Sequence, residues 1–203
     1  MAKLAFPFRG KIRFTSPFGE RTLNGAYDWH NGIDLVALDD KTVRAPCPGI
    51  IGVSTRLDKA TDRTQTWQWG NYVRLDMADG VTKIYHCHLA RRDVVAGQYV
   101  NVGDPLGIEG DTGYAFGSHL HFEVRKNGTP VDPCPYLGIE NIAGVEIDGE
   151  PIPNWYDEAV AWAQANKILK GTGNGQLDLD EPCTRAQMCV FLYRLYNYLK
   201  KGD

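Results

Sequence analysis

The chain predicts a mainly β protein over residues 1–140, followed by a small α-helical hairpin over residues 154–203. Three features of the sequence carry that expectation. Runs such as YVRLDM, GVTKIYHCHL and LHFEVRKNG are rich in β-branched and aromatic residues and are bounded by turn residues, as strands are. RKNGTPVD sets an Asn-Gly pair between two extended runs, the pair favoured by a tight hairpin whose turn residues need positive φ. After Pro153 the Gly-, Pro-, Val- and Ile-rich texture ends and helical periodicity begins.

Residues 141–153, NIAGVEIDGEPIP, hold two prolines and few helix formers, and are expected as a linker. NWYDEAVAWAQANKILKG then reads as a helix, with Asn154 as its cap, Asp157 and Glu158 in its first turn and Gly171 as its end. TRAQMCVFLYRLYNYLK reads as a second. Thr184 and Gln187 form a capping box, and Met188, Phe191, Leu192, Leu195 and Leu199 form one apolar stripe. A length of about 140 residues suits one buried core, with the tail as an appendage.

The net charge of −3 gives no footprint for nucleic acid. In the tail from Asn154 onward six Lys or Arg oppose six Asp or Glu, so recognition there would need specific contacts. No stretch is long and apolar enough to cross a membrane. The opening MAKLAFPFRGKIRFTSP lacks the apolar core and cleavage site of a secretory signal, which leads to the expectation of a protein made in the cytoplasm. Five cysteines, an odd number without dense spacing, fit reduced thiols; Cys47 and Cys134, both flanked by prolines, are the one pair whose contexts resemble each other.

All five histidines fall in three short motifs: His30 in HNGID, His86 and His88 in YHCHL, His119 and His121 in SHLHFEV. Neutral imidazole is the commonest biological metal ligand, so this concentration reads as one metal site. Strict alternation in SHLHFEV puts His119, His121 and Glu123 on one strand face and Leu120, Phe122 and Val124 on the other. HNGID brings His30 and Asp34 around a turn signal. The chain has no H-E-x-x-H and no G-x-S-x-G elbow, and GTGNG at 171–175 lacks the Lys-Ser/Thr of a phosphate-binding loop.

HNGID, the central histidine motif and GDTGYAFGSHLHFEVRKNGTPVDP resemble, in order and spacing, the lysostaphin-type (LytM-like) zinc endopeptidases that cut bacterial cell-wall peptides. The resemblance covers about residues 10–140 and includes SPFGER, APCPGIIG, GNYVRLDMADG and VVAGQYVNVGDPLG. It implies an antiparallel β catalytic domain with a groove between long loops, and one Zn²⁺ per chain. It also implies metal ligands His30, Asp34 and His121, with His119 and the central histidine as the catalytic pair. The substrate implied is a peptidoglycan peptide.

The central motif departs from the family form, which is an aromatic residue, a small residue, then His-Leu. Here the run is His86, Cys87, His88, Leu89; aligning on His-Leu makes His88 catalytic. Period-two alternation would put His86 on the face of His88, as a neighbour of the site and a minor rival, and turn Cys87 to the opposite face as a small packed residue.

The tail WYDEAVAWAQANKILKGTGNGQLDLDEPCTRAQMCVFLYRL is similar to one S-layer homology (SLH) repeat, reading TRAQ at Thr184–Gln187. Such repeats usually come in threes and bind cell-wall polysaccharide. A lone repeat carries more apolar surface than two helices can bury between them, which leads to the expectation of a homo-oligomer formed through the C-terminal helices; docking on the catalytic domain is the other outcome. A wall peptidase without an export signal implies a phage endolysin that acts at the wall after release. The alternatives are a non-catalytic peptidoglycan-binding or regulatory relative, and a phage-tail or wall-remodelling component.

Overall fold

Alternation along Gly10–Ser16 (β1) sends Ile12 and Phe14 inward, where both are fully buried. The same rule organises the rest of the first unit, Met1–Pro153. The computed structural model describes residues 3–57, 59–60, 62, 66–149, 157–170 and 185–200.

After β1 come β2 (Gly19–Leu23), β3 (Ala26–His30), β4 (Ile33–Ala37), β5 (Thr42–Arg44) and β6 (Gly49–Arg56). A short 3₁₀ turn, Thr66–Trp69, precedes β7 (Asn71–Asp76), β8 (Thr82–Leu89), β9 (Arg91–Arg92), β10 (Tyr99–Val100) and β11 (Pro105–Ile108). β12 (Leu120–Lys126) and β13 (Thr129–Val131) form a hairpin, followed by helix α1 (Cys134–Leu137) and β14 (Val145–Gly149). The main sheet runs β10-β6-β7-β8-β12-β4-β1-β14 through antiparallel pairs, with β13 attached to β12. β5, β11 and β9 make a second small sheet, and β2 pairs with β3 alone.

The hairpin expected in RKNGTPVD is present: Asn127 and Gly128 have φ of 51° and 83°, the signs a type I′ turn needs. One face of the main sheet is apolar. Ile33, Leu35, Ile84, Leu120, Phe122 and Val124 are fully buried there, leaving the other face of the β8-β12-β4 centre for polar groups.

The span 141–153, expected as a linker, is only partly one. Val145–Gly149 pairs with most of β1, from Gly10 opposite Gly149 to Phe14 opposite Val145, and Ile147 packs on the core. The prolines that argued against structure, Pro151 and Pro153, follow the strand in sequence and lie outside the described residues.

The second unit, Asn154–Asp203, contains helix α2 (Asp157–Ala165) and helix α3 (Arg185–Leu199) where helices were expected. The expected caps Asn154 and Thr184, and the stop Gly171, lie outside the described residues. Helix α2 stops earlier than Gly171. Lys167 takes a left-handed φ of 60°, its N–H bonds to Gln164 O, and Ile168 N–H reaches back to Ala163 O. That is the double bond of a Schellman cap, made by lysine rather than glycine, with Ile168 buried behind it. The expected stripe on α3 is not covered as a whole: Met188, Leu192 and Leu199 are exposed.

A chain ending at Gly144 should therefore melt lower than one ending at Pro153, by about 5 °C or more, because it strips β1 of its edge partner. Thermal denaturation of the two chains measures the difference, and equal melting would make β14 dispensable.

Candidate metal centre

The pairing of β4 with β12 sets Asp34 directly opposite His121, and cross-strand partners share a face. His30 ends β3 and joins them across the short Asn31–Gly32 link. Gly32 is required there by close approach: a β-carbon on it would lie 2.5 Å from the Phe122 carbonyl oxygen and 2.9 Å from the His121 ring. Three donor atoms converge. His30 Nε2 is 2.9 Å from His121 Nδ1, and each is 3.2 Å from Asp34 Oδ1. Two ligands bound to zinc at about 2.0–2.1 Å under tetrahedral angles lie roughly 3.3 Å apart, so the donor set and its spacing both fit that ion.

The remaining polar atoms of these side chains are also fixed. His30 donates its Nδ1–H to the Pro17 carbonyl oxygen at 2.8 Å, which turns the lone pair of Nε2 toward the centre. His121 Nε2 faces Glu123 Oε2 at 3.3 Å. Glu123, itself buried, also accepts from Arg125 Nε, and the Arg125 guanidinium lies 5.4 Å from the Trp69 ring and 5.2 Å from that of Tyr85. Burial alone would lower the His121 pKa, but hydrogen bonds and charge from Asp34 and Glu123 prevail and raise it to about 9. Burial would raise Asp34, yet its hydrogen bonds to His121 and His30 hold it well below the usual carboxylate range. The face is thus arranged around positive charge.

His88 reaches this face by a backbone device. It sits in the left-handed region at φ 65°, which breaks strand alternation and lets Leu89 return to the core. It donates Nδ1–H to the Thr112 carbonyl oxygen at 2.8 Å. Burial, then the neighbouring His121 and His119, push its pKa down to about 3, so it is neutral with Nε2 as acceptor. His119 donates Nδ1–H to the Gly117 carbonyl oxygen at 2.8 Å, and its Nε2 is 3.7 Å from Asp34 Oδ1. The His88 and His119 rings are 4.7 Å apart.

The same device corrects two expectations. Cys87, not His86, shares the His121 face, because it is the cross-strand partner of His121. It packs with Tyr72 and Tyr85, and burial raises its thiol pKa well above normal. His86 opposes Phe122 and points into the core, fully buried, its ring edge-on to Phe122 at 5.4 Å. It is not a neighbour of the site. Cys47 and Cys134 are free thiols.

Several residues that sequence reasoning missed complete the frame. Thr112 accepts from Asn71 N–H and donates to the Leu89 carbonyl oxygen, fixing the loop that holds His88. Glu109, buried, accepts from Ala37 N–H and Ser118 Oγ, anchoring the residue before His119. Arg21 bonds Asp34 from the other side. Only Glu123 had a signal, its two-residue step from His121. A cleft of about 710 Å³ opens over the centre, with Trp29 among its lining residues on the β3 side and Trp69, Tyr114 and Phe116 on the loop side.

A family model described as Peptidase family M23 matches residues 28–133, more than half of the chain and the whole of this centre. The chain belongs to peptidase family M23. Within it, the chain is 37% identical over 123 residues to the DD-carboxypeptidase/endopeptidase Mpg of Neisseria meningitidis serogroup B, covering 60% of this chain and 26% of that protein. It is 39% identical over 89 residues to lysostaphin of Staphylococcus simulans, covering 42% and 18%. Among solved M23-like structures, a zinc-containing peptidase from Vibrio cholerae superposes with a TM-score of 0.53 at 27% identity, covering 64% of this chain and 39% of that one. The chain spans about a quarter of the length of the curated relatives such as Mpg. An S-layer homology domain model matches residues 148–189, so the M23 domain is followed by an SLH domain.

The misplaced histidine has a measurable cost. Neither ring nitrogen of His86 makes a hydrogen bond of normal geometry to a described residue, and burial lowers its pKa to about 4, offset only in part by the Val73 backbone. Its folded pKa lies below the unfolded value of about 6.5, so it adds no pH-dependent penalty above that value. The penalty grows as pH falls from there toward the folded pKa, because the unfolded chain takes the proton first. His86→Leu should stabilise the protein by about 1 kcal/mol near neutrality and by more at about pH 5. Urea denaturation at both pH values checks this, and a variant less stable than the parent at both would assign His86 a packing role instead.

Proposed function

We propose that the chain is a zinc-dependent endopeptidase that hydrolyses peptide bonds of bacterial peptidoglycan, with His30, Asp34 and His121 as metal ligands and His88 and His119 as the catalytic pair. The observation that carries this reading is the near-tetrahedral spacing of His30 Nε2, Asp34 Oδ1 and His121 Nδ1 under an open cleft. Bound zinc would supply a Lewis acid for the scissile carbonyl and a water whose pKa falls to about 7.

The side chains divide the remaining work. His88 is held neutral, with Nδ1–H committed to a backbone carbonyl, so its Nε2 is the atom that can accept a proton. His119 has the same commitment of Nδ1 and stands beside it. Hydrolysis needs one proton removed from water and one given to the leaving amine, with a donor to the developing oxyanion between those events. One imidazole Nε2 can take the proton from water and return it to the amine, while the other can donate to the oxyanion only when its own Nε2 carries a proton. The aromatic residues lining the cleft shape what enters. The SLH domain supports attachment to cell-wall polysaccharide, which would place the enzyme at the wall. Self-association through the tail gains nothing from the comparisons.

His30→Ala, Asp34→Ala and His121→Ala should each lower bound zinc together with turnover of purified peptidoglycan. His119→Ala and His88→Ala should keep the metal and lose turnover by about 100-fold or more. Metal analysis beside a turbidity assay reads both. An inactive parent chain that still sediments with peptidoglycan would favour the non-catalytic relative, and an active His88→Ala beside a dead His86→Ala would overturn the assignment of the central histidine.

A further inference from the structure

Arg21 touches the centre but has no part in the reaction above. It lies in the middle of β2, cross-strand from Asp28 on β3. Its Nε donates to Asp28 Oδ2 at 2.7 Å, and its Nη1 donates to Ser16 Oγ at 2.8 Å and to Asp34 Oδ2 at 3.3 Å. The two oxygens of Asp34 are therefore divided: Oδ2 belongs to Arg21, and Oδ1 faces His30 and His121. We propose that Arg21 is a positioning residue that sets the zinc affinity of the centre by fixing the Asp34 carboxylate, and that Asp28 cancels the charge that would otherwise repel the cation.

Geometry and charge lead to the same assignment. A carboxylate on a free torsion presents either oxygen, or both; one held at Oδ2 presents Oδ1 alone and loses no rotational freedom when a metal arrives. The fork of a guanidinium can span Asp28, Ser16 and Asp34 at once, which a lysine ammonium cannot do. A cation beside a metal ligand is nevertheless unfavourable for a second cation. The side chains of Arg21 and Asp34 are only 21% and 13% exposed, so solvent screens them weakly. Asp28 at 2.7 Å supplies the opposite charge on the far edge of the guanidinium and makes the pair neutral. The device also ties the β2–β3 hairpin, whose Thr22, Leu23 and Trp29 line the cleft, to the metal centre.

The proposal rests on His30, Asp34 and His121 holding zinc, and the test separates the two claims. Zinc affinity of the full chain is measured by competition with a chromophoric chelator at low and high ionic strength, beside the melting temperature of the metal-free protein. Arg21→Gln should weaken zinc binding by about 10–100-fold, and Arg21→Lys should recover only part of it. Asp28→Asn should weaken it by about 10-fold, with a deficit that shrinks as salt rises, because its origin is uncancelled charge. A merely structural role would lower the melting temperature and leave affinity and salt dependence alone. If Arg21→Gln does not fold, Arg21→Lys and Asp28→Asn carry the same test. Parental affinity in the Arg21 variants, beside lost binding in His121→Ala, overturns the proposal alone. A parent chain that takes up no zinc, or an unaffected His121→Ala, overturns the metal centre and the proposal with it.

Discussion

The antiparallel pairing of β4 with β12 puts Asp34 opposite His121, and the rest of the centre is built outward from that contact. A slip of one residue in this register would turn one of the two side chains into the apolar core and bring Leu35 or Phe122 to the cleft in its place. The register is protected from both sides of the sheet. Ile33, Leu35, Leu120 and Phe122 are fully buried on the opposite face, so any slip would also expose them. Gly32 leaves no room for a side chain against Phe122 and His121, so the β3–β4 link can lie this close only as glycine. Packing on one face thus enforces ligand geometry on the other.

Concentrating four imidazoles and two carboxylates on a largely buried surface is electrostatically demanding, and the pattern of partners shows how the demand is met. Asp34 is shared between Arg21 and the histidines His30 and His121, and Glu123 between His121 and Arg125. Each arginine is itself occupied elsewhere: Arg21 by Asp28, and Arg125 by the rings of Trp69 and Tyr85. His88, by contrast, bonds to a backbone carbonyl rather than to a carboxylate among the described residues, and it is kept neutral. Two environments a few ångströms apart therefore push imidazoles in opposite directions. The carboxylates around His121 favour a cation at its ring, and burial at His88 excludes one.

What was legible in the sequence is what local periodicity encodes. His30, Asp34, His119 and His121 sit in short motifs whose spacing survives folding, and the β12–β13 hairpin announced itself through Asn127-Gly128. The errors arose where periodicity breaks. His88 has a left-handed backbone that no residue pattern foretells, and this one torsion exchanged the expected places of His86 and Cys87. Lys167 misled in the same way, ending α2 at a left-handed position where glycine was the expected signal. β14 was obscured because the prolines that follow it were read as part of it. Arg21, Glu109 and Thr112 take their place through contacts that follow no strand or helix period, among them 13 residues for Arg21 to Asp34 and 72 for Glu109 to Ala37, so no local pattern could single them out.

Every residue assigned to the centre and its supports lies within Met1–Pro153, so the chemistry does not require the SLH domain to complete a site. If the tail holds wall polysaccharide, its contribution is then one of concentration: a tethered catalytic domain meets neighbouring peptide bonds at an effective concentration fixed by the tether rather than by bulk. That separation relaxes a conflict. With residence near the substrate supplied in that way, a cleft lined by Trp29, Tyr114 and Phe116 would not also have to bind tightly whatever it admits. Weak, selective contact at the centre and durable contact at the tail would together favour repeated cleavage over long occupancy of any one bond.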